Sequence, residues 1–148
     1  MRLDRAARRC ALQAMYQFDA DREVDEEIVR STLPGSGAHD DAQVAGFALA
    51  SEAKAAVEAI DPIIDGLSPD WPVRRQPMVD RNILRLSLHE ISSGSTPPKV
   101  VINEAVELAR EFGGEKSPGF INAILDEYLK TRTSEEPGRP GAPEGGGE

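Results

Sequence analysis

Arg5, Arg8 and Arg9 stand at i, i+3 and i+4, the spacing that gathers three guanidiniums on one side of a helix. Forked guanidinium donors match phosphate oxygens. A stripe of Arg2, Arg5, Arg9, Gln13 and Tyr16 runs along the same segment at helical steps. Gln13 adds an amide for base edges and Tyr16 an aromatic face, the groups that single-stranded RNA recognition uses. A second group, Arg74, Arg75, Arg81 and Arg85, flanks the start of a later apolar segment. The same arginines also read as solvated helix faces that pair with acidic residues elsewhere. Pattern alone leaves both readings open.

Catalytic chemistry finds no comparable constellation. His39 and His89 are the only histidines, and Cys10 is the only cysteine. One histidine beside Asp40 and Asp41 is a weak metal signal, and capping of a helix start accounts for the aspartates better. His89 falls on a buried helix, where a packed or hydrogen-bonded role is expected. Glu104 and Glu107 share a helix flank at i, i+3, which suits salt bridging more than acid–base work. Gly35-Ser36-Gly37 and Gly113-Gly114 lack the lysine and preceding strand of a phosphate loop. No nucleophile motif is present. The expectation is a protein that is not an enzyme and carries no metal or cofactor.

The charge is unevenly spread. The 148 residues carry a formal net charge of -9, which argues against coating nucleic acid through bulk charge. Residues 1–10 nevertheless sum to +3, and residues 19–27 to -5. Cations near a helix N-terminus oppose the macrodipole, so stability does not account for the basic start. Hydrophobic residues make up 39% and aromatics only 5%, so the core must be built from Leu, Ile, Val and Ala. Cys10, on an apolar face, is expected as a small core residue. No apolar run reaches membrane-spanning length and no signal-peptide pattern opens the chain, so a cytoplasmic protein is expected.

These groups must be positioned by helices, because no segment alternates as a strand does. Leu3 to Asp19 reads as the first helix, with Asp4 as its cap. Asp25 to Leu33 is a short second one, and Asp40 to Ile60 a long alanine-rich one with Val44, Phe47, Ala48 and Ala55 buried. Asp61-Pro62 starts a new turn that continues helically to Ser68-Pro69. Met78 to Ile91 is apolar on most sides and should be central. Pro97-Pro98 opens the next helix, whose stripe Val101, Ala105, Leu108 and Phe112 is expected inside. Gly113-Gly114 should supply a left-handed stop. Ser117 and Pro118 open a last helix to about Lys130. The fold class is all-α with about seven helices, in two small helical subdomains at 1–70 and 71–131. The Pro-, Gly- and Glu-rich segment 132–148 is expected to be a disordered tail.

Four segments together resemble the bacterial NusB antitermination family. They are Arg8-Arg9-Cys10-Ala11-Leu12-Gln13-Ala14-Met15-Tyr16, then Trp71-Pro72 with Asp80-Arg81-Asn82-Ile83-Leu84-Arg85, then Val101-Ile102-Asn103-Glu104-Ala105-Val106-Glu107-Leu108-Ala109, and Phe120-Ile121-Asn122-Ala123-Ile124-Leu125-Asp126. The resemblance spans roughly residues 2–130 in family order. It implies a NusB-like fold and an RNA-binding factor that binds boxA RNA together with the ribosomal protein NusE. Such a complex joins RNA polymerase and other Nus factors, notably at ribosomal RNA operons. By position, the resemblance implies RNA contacts from Arg2, Arg5, Arg8 and Arg9, with Gln13 and Tyr16 beside them. It adds Lys116 and Phe120 at the start of the last helix, although Phe120 equally reads as core. Asp80, Arg81 and Leu84 would face the ribosomal-protein partner, and Asn103 and Glu104 would brace the loop before their helix. Some relatives self-associate, so a homodimer is possible on the same grounds.

Two departures mark this chain. Ala6 and Ala7 interrupt the basic run, and Lys116 stands where relatives often have an acidic residue. Two other classes remain in view. One is the RNA-binding domain of an RNA methyltransferase, which needs a following catalytic domain. The other is a helical scaffold without RNA specificity.

Overall fold

The computed structural model describes residues 3–135. Arg2 and residues 136–148 lie outside that range, and with them most of the expected tail. Seven α-helices form the described chain, which has no strand. They are α1 (Arg5–Ala20), α2 (Glu26–Thr32), α3 (Asp40–Ala55), α4 (Val57–Leu67), α5 (Met78–Ser93), α6 (Pro98–Phe112) and α7 (Ser117–Glu135). Short 3₁₀ turns at Leu33–Ser36 and Val73–Arg75 lead out of α2 and into α5. No helix among the described residues is long and apolar enough to cross a membrane.

Capping chemistry sets several helix starts. The Asp4 carboxylate accepts from the Ala7 N–H at 2.8 Å, and Asp25 caps α2 through Glu27. His39, rather than the neighbouring aspartates, caps α3, with Nδ1 accepting from Ala42 N–H at 3.2 Å. Its Nε2 lies 3.1 Å from Asp4, so one imidazole ties the starts of α1 and α3 together. Asp40 and Asp41 fill the first turn of α3, where the dipole favours anions.

The main core cluster runs from Cys10 in α1 to Leu125 in α7, and a smaller one gathers Ala7, Ala42 and Ala45 between α1 and α3. At the centre of the main cluster, α5 buries Ile83, Leu84, Leu86, Leu88 and Ile91, as a helix apolar on most sides should. Cys10 is buried too.

The structure differs from sequence expectation in five places. The long third helix breaks at Ala56, and α4 runs through Pro62 instead of beginning there. The residues of α3 that pack are Ala42, Ala45, Gly46, Leu49, Ala50 and Ala53 together with the expected Phe47, whereas Val44 is 55% exposed and Ala48 and Ala55 are exposed. Small residues win because α1 approaches the α3 backbone directly. A Cβ on Gly46 would stand 2.4 Å from the Ala7 carbonyl oxygen and 2.6 Å from the Cys10 Cβ. Phe112 ends the α6 stripe 46% exposed, because the chain turns away there toward α7. Gly113 is extended (φ -94°, ψ -172°), not left-handed. Its role is steric, since a Cβ there would meet Ser117 at 2.7 Å. Finally, α7 continues to Glu135, so residues 132–135 are helical and not tail.

Gly46→Ala should therefore destabilise the fold by about 1–3 kcal/mol through overpacking, read as a lower urea midpoint. An unchanged midpoint would show that α1 and α3 have room to separate.

Candidate nucleic-acid interface

The three arginines of the first helix part company. Arg8 is 6% exposed. Its guanidinium pairs with the buried Glu90 of α5 through Nε at 3.3 Å and through Nη2, and its Nη1 donates to the Leu3 carbonyl at 2.6 Å. Arg8 is therefore placed apart from the other two, with its donors committed inside. The reason is the helical spacing itself. Arg8 lies on the α5-facing side of α1, between the buried Ala7 and Ala11.

Arg5 and Arg9, one turn apart, stay at the surface, with side chains 49% and 45% exposed. Both reach across to α6. Arg5 makes a two-pronged contact with Glu104 at 3.1 Å for each oxygen, and Arg9 Nε bonds Glu111 at 3.0 and 3.1 Å. Glu107, between them on α6, pairs with Arg110. The hydrogen bond to Glu104 is the main cause that raises the Arg5 pKa. The reciprocal bond from Arg5 holds the Glu104 carboxyl below its usual value. Glu104 thus faces α1 rather than bracing the loop before its own helix, and Asn103 is exposed. Exposed pairs of this kind contribute little to stability. A phosphate can compete for Arg5 and Arg9 as it cannot for Arg8.

Tyr16 is 48% exposed on the same stripe and Gln13 is partly exposed. Farther along, an open groove of about 730 Å³ joins three helices. Arg5 of α1, Glu104, Glu107 and Arg110 of α6, and Pro118, Gly119 and Asn122 of α7 line it. The arginine-bearing helix and the first turn of the last helix, far apart in sequence, meet in one surface.

That first turn is held by Asp80. The buried Ser117 hydroxyl donates to the Asp80 carboxylate at 2.8 Å and accepts from the Gly114 N–H at 3.0 Å. Burial pushes the Asp80 pKa up, and the Ser117 bond pulls against it. Lys116, one residue earlier, is exposed. Phe120 is half-buried and sets its ring against Trp71, with centroids 4.7 Å apart at 62°. Trp71 is a neighbour that stripe analysis missed, although Trp71-Pro72 stood out as a motif.

The expected partner-facing set points inward. Asp80 is 2% exposed and Leu84 is fully buried. Arg81 binds Asp19 of α1 at 2.7 and 2.9 Å. Asp19 also accepts from Asn82 at 2.9 Å and from Arg85 at 3.2 Å. Arg85 in turn grips Asp61 of α4 at 2.9 and 2.8 Å. Burial resists the Asp19 charge, but these donors outweigh it and hold its pKa below the usual value. The second arginine group is thereby split: Arg81 and Arg85 build the interior, and only Arg74 and Arg75 are exposed. Among the described residues, no set of three His, Cys, Asp or Glu is placed to hold a metal. His89 hydrogen-bonds Glu52 at 2.9 Å.

Glu90→Ala should leave the Arg8 guanidinium buried without a counter-charge, at a cost of about 3–5 kcal/mol. Glu111→Ala, at the surface, should cost about half a kcal/mol or less. Urea unfolding of the two variants separates them, and equal losses would contradict the inside–outside division of the arginines.

The NusB family profile matches residues 5–130. The chain is 39% identical over 141 residues to the transcription antitermination protein NusB of Geotalea daltonii, covering 89% of this chain and 97% of that one. Its fold matches T. maritima NusB with a TM-score of 0.73 at 29% identity, over 88% and 93% of the two chains. It also matches a chain in a crystal structure of the antitermination factors NusB and NusE with double-stranded RNA, with a TM-score of 0.75 at 28% identity, over 86% and 96%. On a match that covers nearly all the described helices, this chain belongs to the NusB family.

Proposed function

We propose that this chain is an RNA-binding transcription antitermination factor that acts together with a NusE-type ribosomal protein on boxA-like nascent RNA. In this role it joins RNA polymerase and other Nus factors, notably at ribosomal RNA operons. One observation carries the reading: Arg5 of α1 and the start of α7 line the same open groove, although more than a hundred residues separate them. A strand of RNA along that surface meets Arg5 and Arg9 with its phosphates, while Tyr16 offers an exposed ring to an unpaired base.

The α6 carboxylates give the surface selectivity. In the free protein Glu104 and Glu111 of α6 hold the two arginine side chains of α1 in surface pairs. RNA must outcompete them, so weak phosphate contact without base contact is disfavoured. Binding is then local and sequence-sensitive, in keeping with a chain whose overall charge is -9. Asp80 acts at one remove, by fixing Ser117 and with it the first turn of α7, whose Pro118 and Gly119 line the groove. The partner surface belongs to neighbouring exposed positions rather than to the side chains of Asp80 and Leu84, which are buried.

A gel-shift comparison of boxA-like and scrambled RNA, with and without the ribosomal protein, tests the proposal. The expected result is preferential binding of the boxA-like strand, tightened by the partner. Equal affinity for both RNAs, with the partner present, would overturn it.

A further inference from the structure

The sequence contains an apolar stripe that neither the core nor the RNA surface absorbs. On α3, Val44 and Ala48 lie one turn apart and face outward, and Val44 is 55% exposed. They form one wall of a groove of about 980 Å³ between α2 and α3. Pro34 from the turn after α2 is exposed beside them, and the core residues Leu33 and Phe47 lie beneath as the floor of the groove. The Arg30 guanidinium sits 4.5 Å from the Phe47 ring centroid and closes one side. The Ser51 hydroxyl, also in the lining, is buried without a hydrogen-bond partner.

The rim is acidic. Glu26, Glu27, Asp40 and Glu52 stand around the groove against the single guanidinium of Arg30. Glu27 is partly satisfied by Arg30 at 3.6 Å and Glu26 by Lys54 at 3.7 Å, both long exposed contacts. Such a rim repels RNA, and no metal-holding set occurs among the described residues. None of the groove-lining residues belongs to the Arg5–α6–α7 surface.

We propose that the α2–α3 groove docks a basic amphipathic helix of a protein partner. Charge complementarity selects the sign of the partner, since lysine or arginine on the flanks of that helix would meet the rim carboxylates. The walls select its shape. The groove runs between two helices and no strand edge is available among the described residues, so helix-in-groove packing fits where strand addition does not. Apolar anchors at i, i+3, i+4 and i+7 would lie on the exposed Val44, Ala48 and Pro34, above the buried Phe47 and Leu33. The site is separate from the RNA surface, so a partner held here leaves Arg5 and Arg9 open.

The test uses the full chain and a fluorescent synthetic peptide of Leu, Lys and Ala, with leucines at i, i+3, i+4 and i+7. A counterpart carries Glu in place of Lys. The lysine peptide should bind, should perturb the backbone amides of residues 26–34 and 40–52, and should weaken with salt, while the glutamate peptide should not bind. Val44→Asp should weaken binding about tenfold, the loss typical of one central anchor. Glu26→Gln with Glu27→Gln and Glu52→Gln should weaken it and flatten its salt dependence without touching the apolar floor. Binding of boxA-like RNA, measured in parallel, should be unchanged in both variants, so failure here is distinguishable from failure of the RNA assignment. Equal binding of the two peptides, amide shifts outside the groove, or indifference to both sets of substitutions would overturn the proposal. So would sedimentation showing a dimer that Val44→Asp dissolves, because the occupant would then be a second copy of this chain.

Discussion

The buried ion pair between Arg8 and Glu90 fixes how the first helix is turned about its axis, and the rest of the arrangement follows from that setting. With Arg8 committed to α5, its neighbours one turn before and one residue after must lie on the outer flank. A pair of buried charges is a poor source of stability, because desolvation consumes most of the Coulombic gain. Its effect is on geometry. A rotation of α1 that exposed Arg8 would leave Glu90 charged in the core, so the rotation that presents Arg5 and Arg9 is the one that survives.

Two other contacts hold α1 in that setting. Along its length, Gly46 lets the helix lie directly against the α3 backbone, a fit that side-chain bulk at position 46 would destroy. At its end, Asp19 gathers Arg81, Asn82 and Arg85, and Arg85 passes the connection on to Asp61 of α4. The chain thus spends four of its arginines in different ways: Arg8, Arg81 and Arg85 lock helices together, and Arg5 closes a surface pair. Sharing an exposed pair with a carboxylate leaves a guanidinium in the right place yet exchangeable. That combination suits a surface whose ligand is a polyanion and whose own net charge is negative.

Much of this was legible in the sequence because helix periodicity and capping are local. The seven helices, the central burial of α5 and the Asp4 cap follow from residues within a turn or two of each other. The α3 face did not. A stripe identifies residues that share a side, and α3 has two such sides; the choice fell to the alanine and glycine side because α1 comes so close. Phe112 failed for a related reason, since an apolar residue at the end of a stripe lies where the helix leaves the core. The division of Arg5, Arg8 and Arg9 depended on partners in α5 and α6, more than eighty residues away. Glu104, Glu107 and Glu111 fall at i, i+3 and i+7 on α6, a spacing that carried the signal but named no partner. The inward turn of Asp80 had no local signal at all, because Ser117 reaches it only through the packed α5–α7 contact.

The central claim is that Arg5 and Arg9, rather than the other exposed arginines, meet the RNA phosphates. The salt dependence of binding to a boxA-like single strand measures this directly, since each phosphate contact contributes about 0.7 to the slope of log affinity against log salt. Arg5→Ala with Arg9→Ala should lower the magnitude of that slope by about 1.4, the sum for two contacts, and weaken binding. Arg74→Ala with Arg75→Ala, exposed on the approach to α5, should leave it unchanged. An unaltered slope in the first pair and a reduced one in the second would contradict the account.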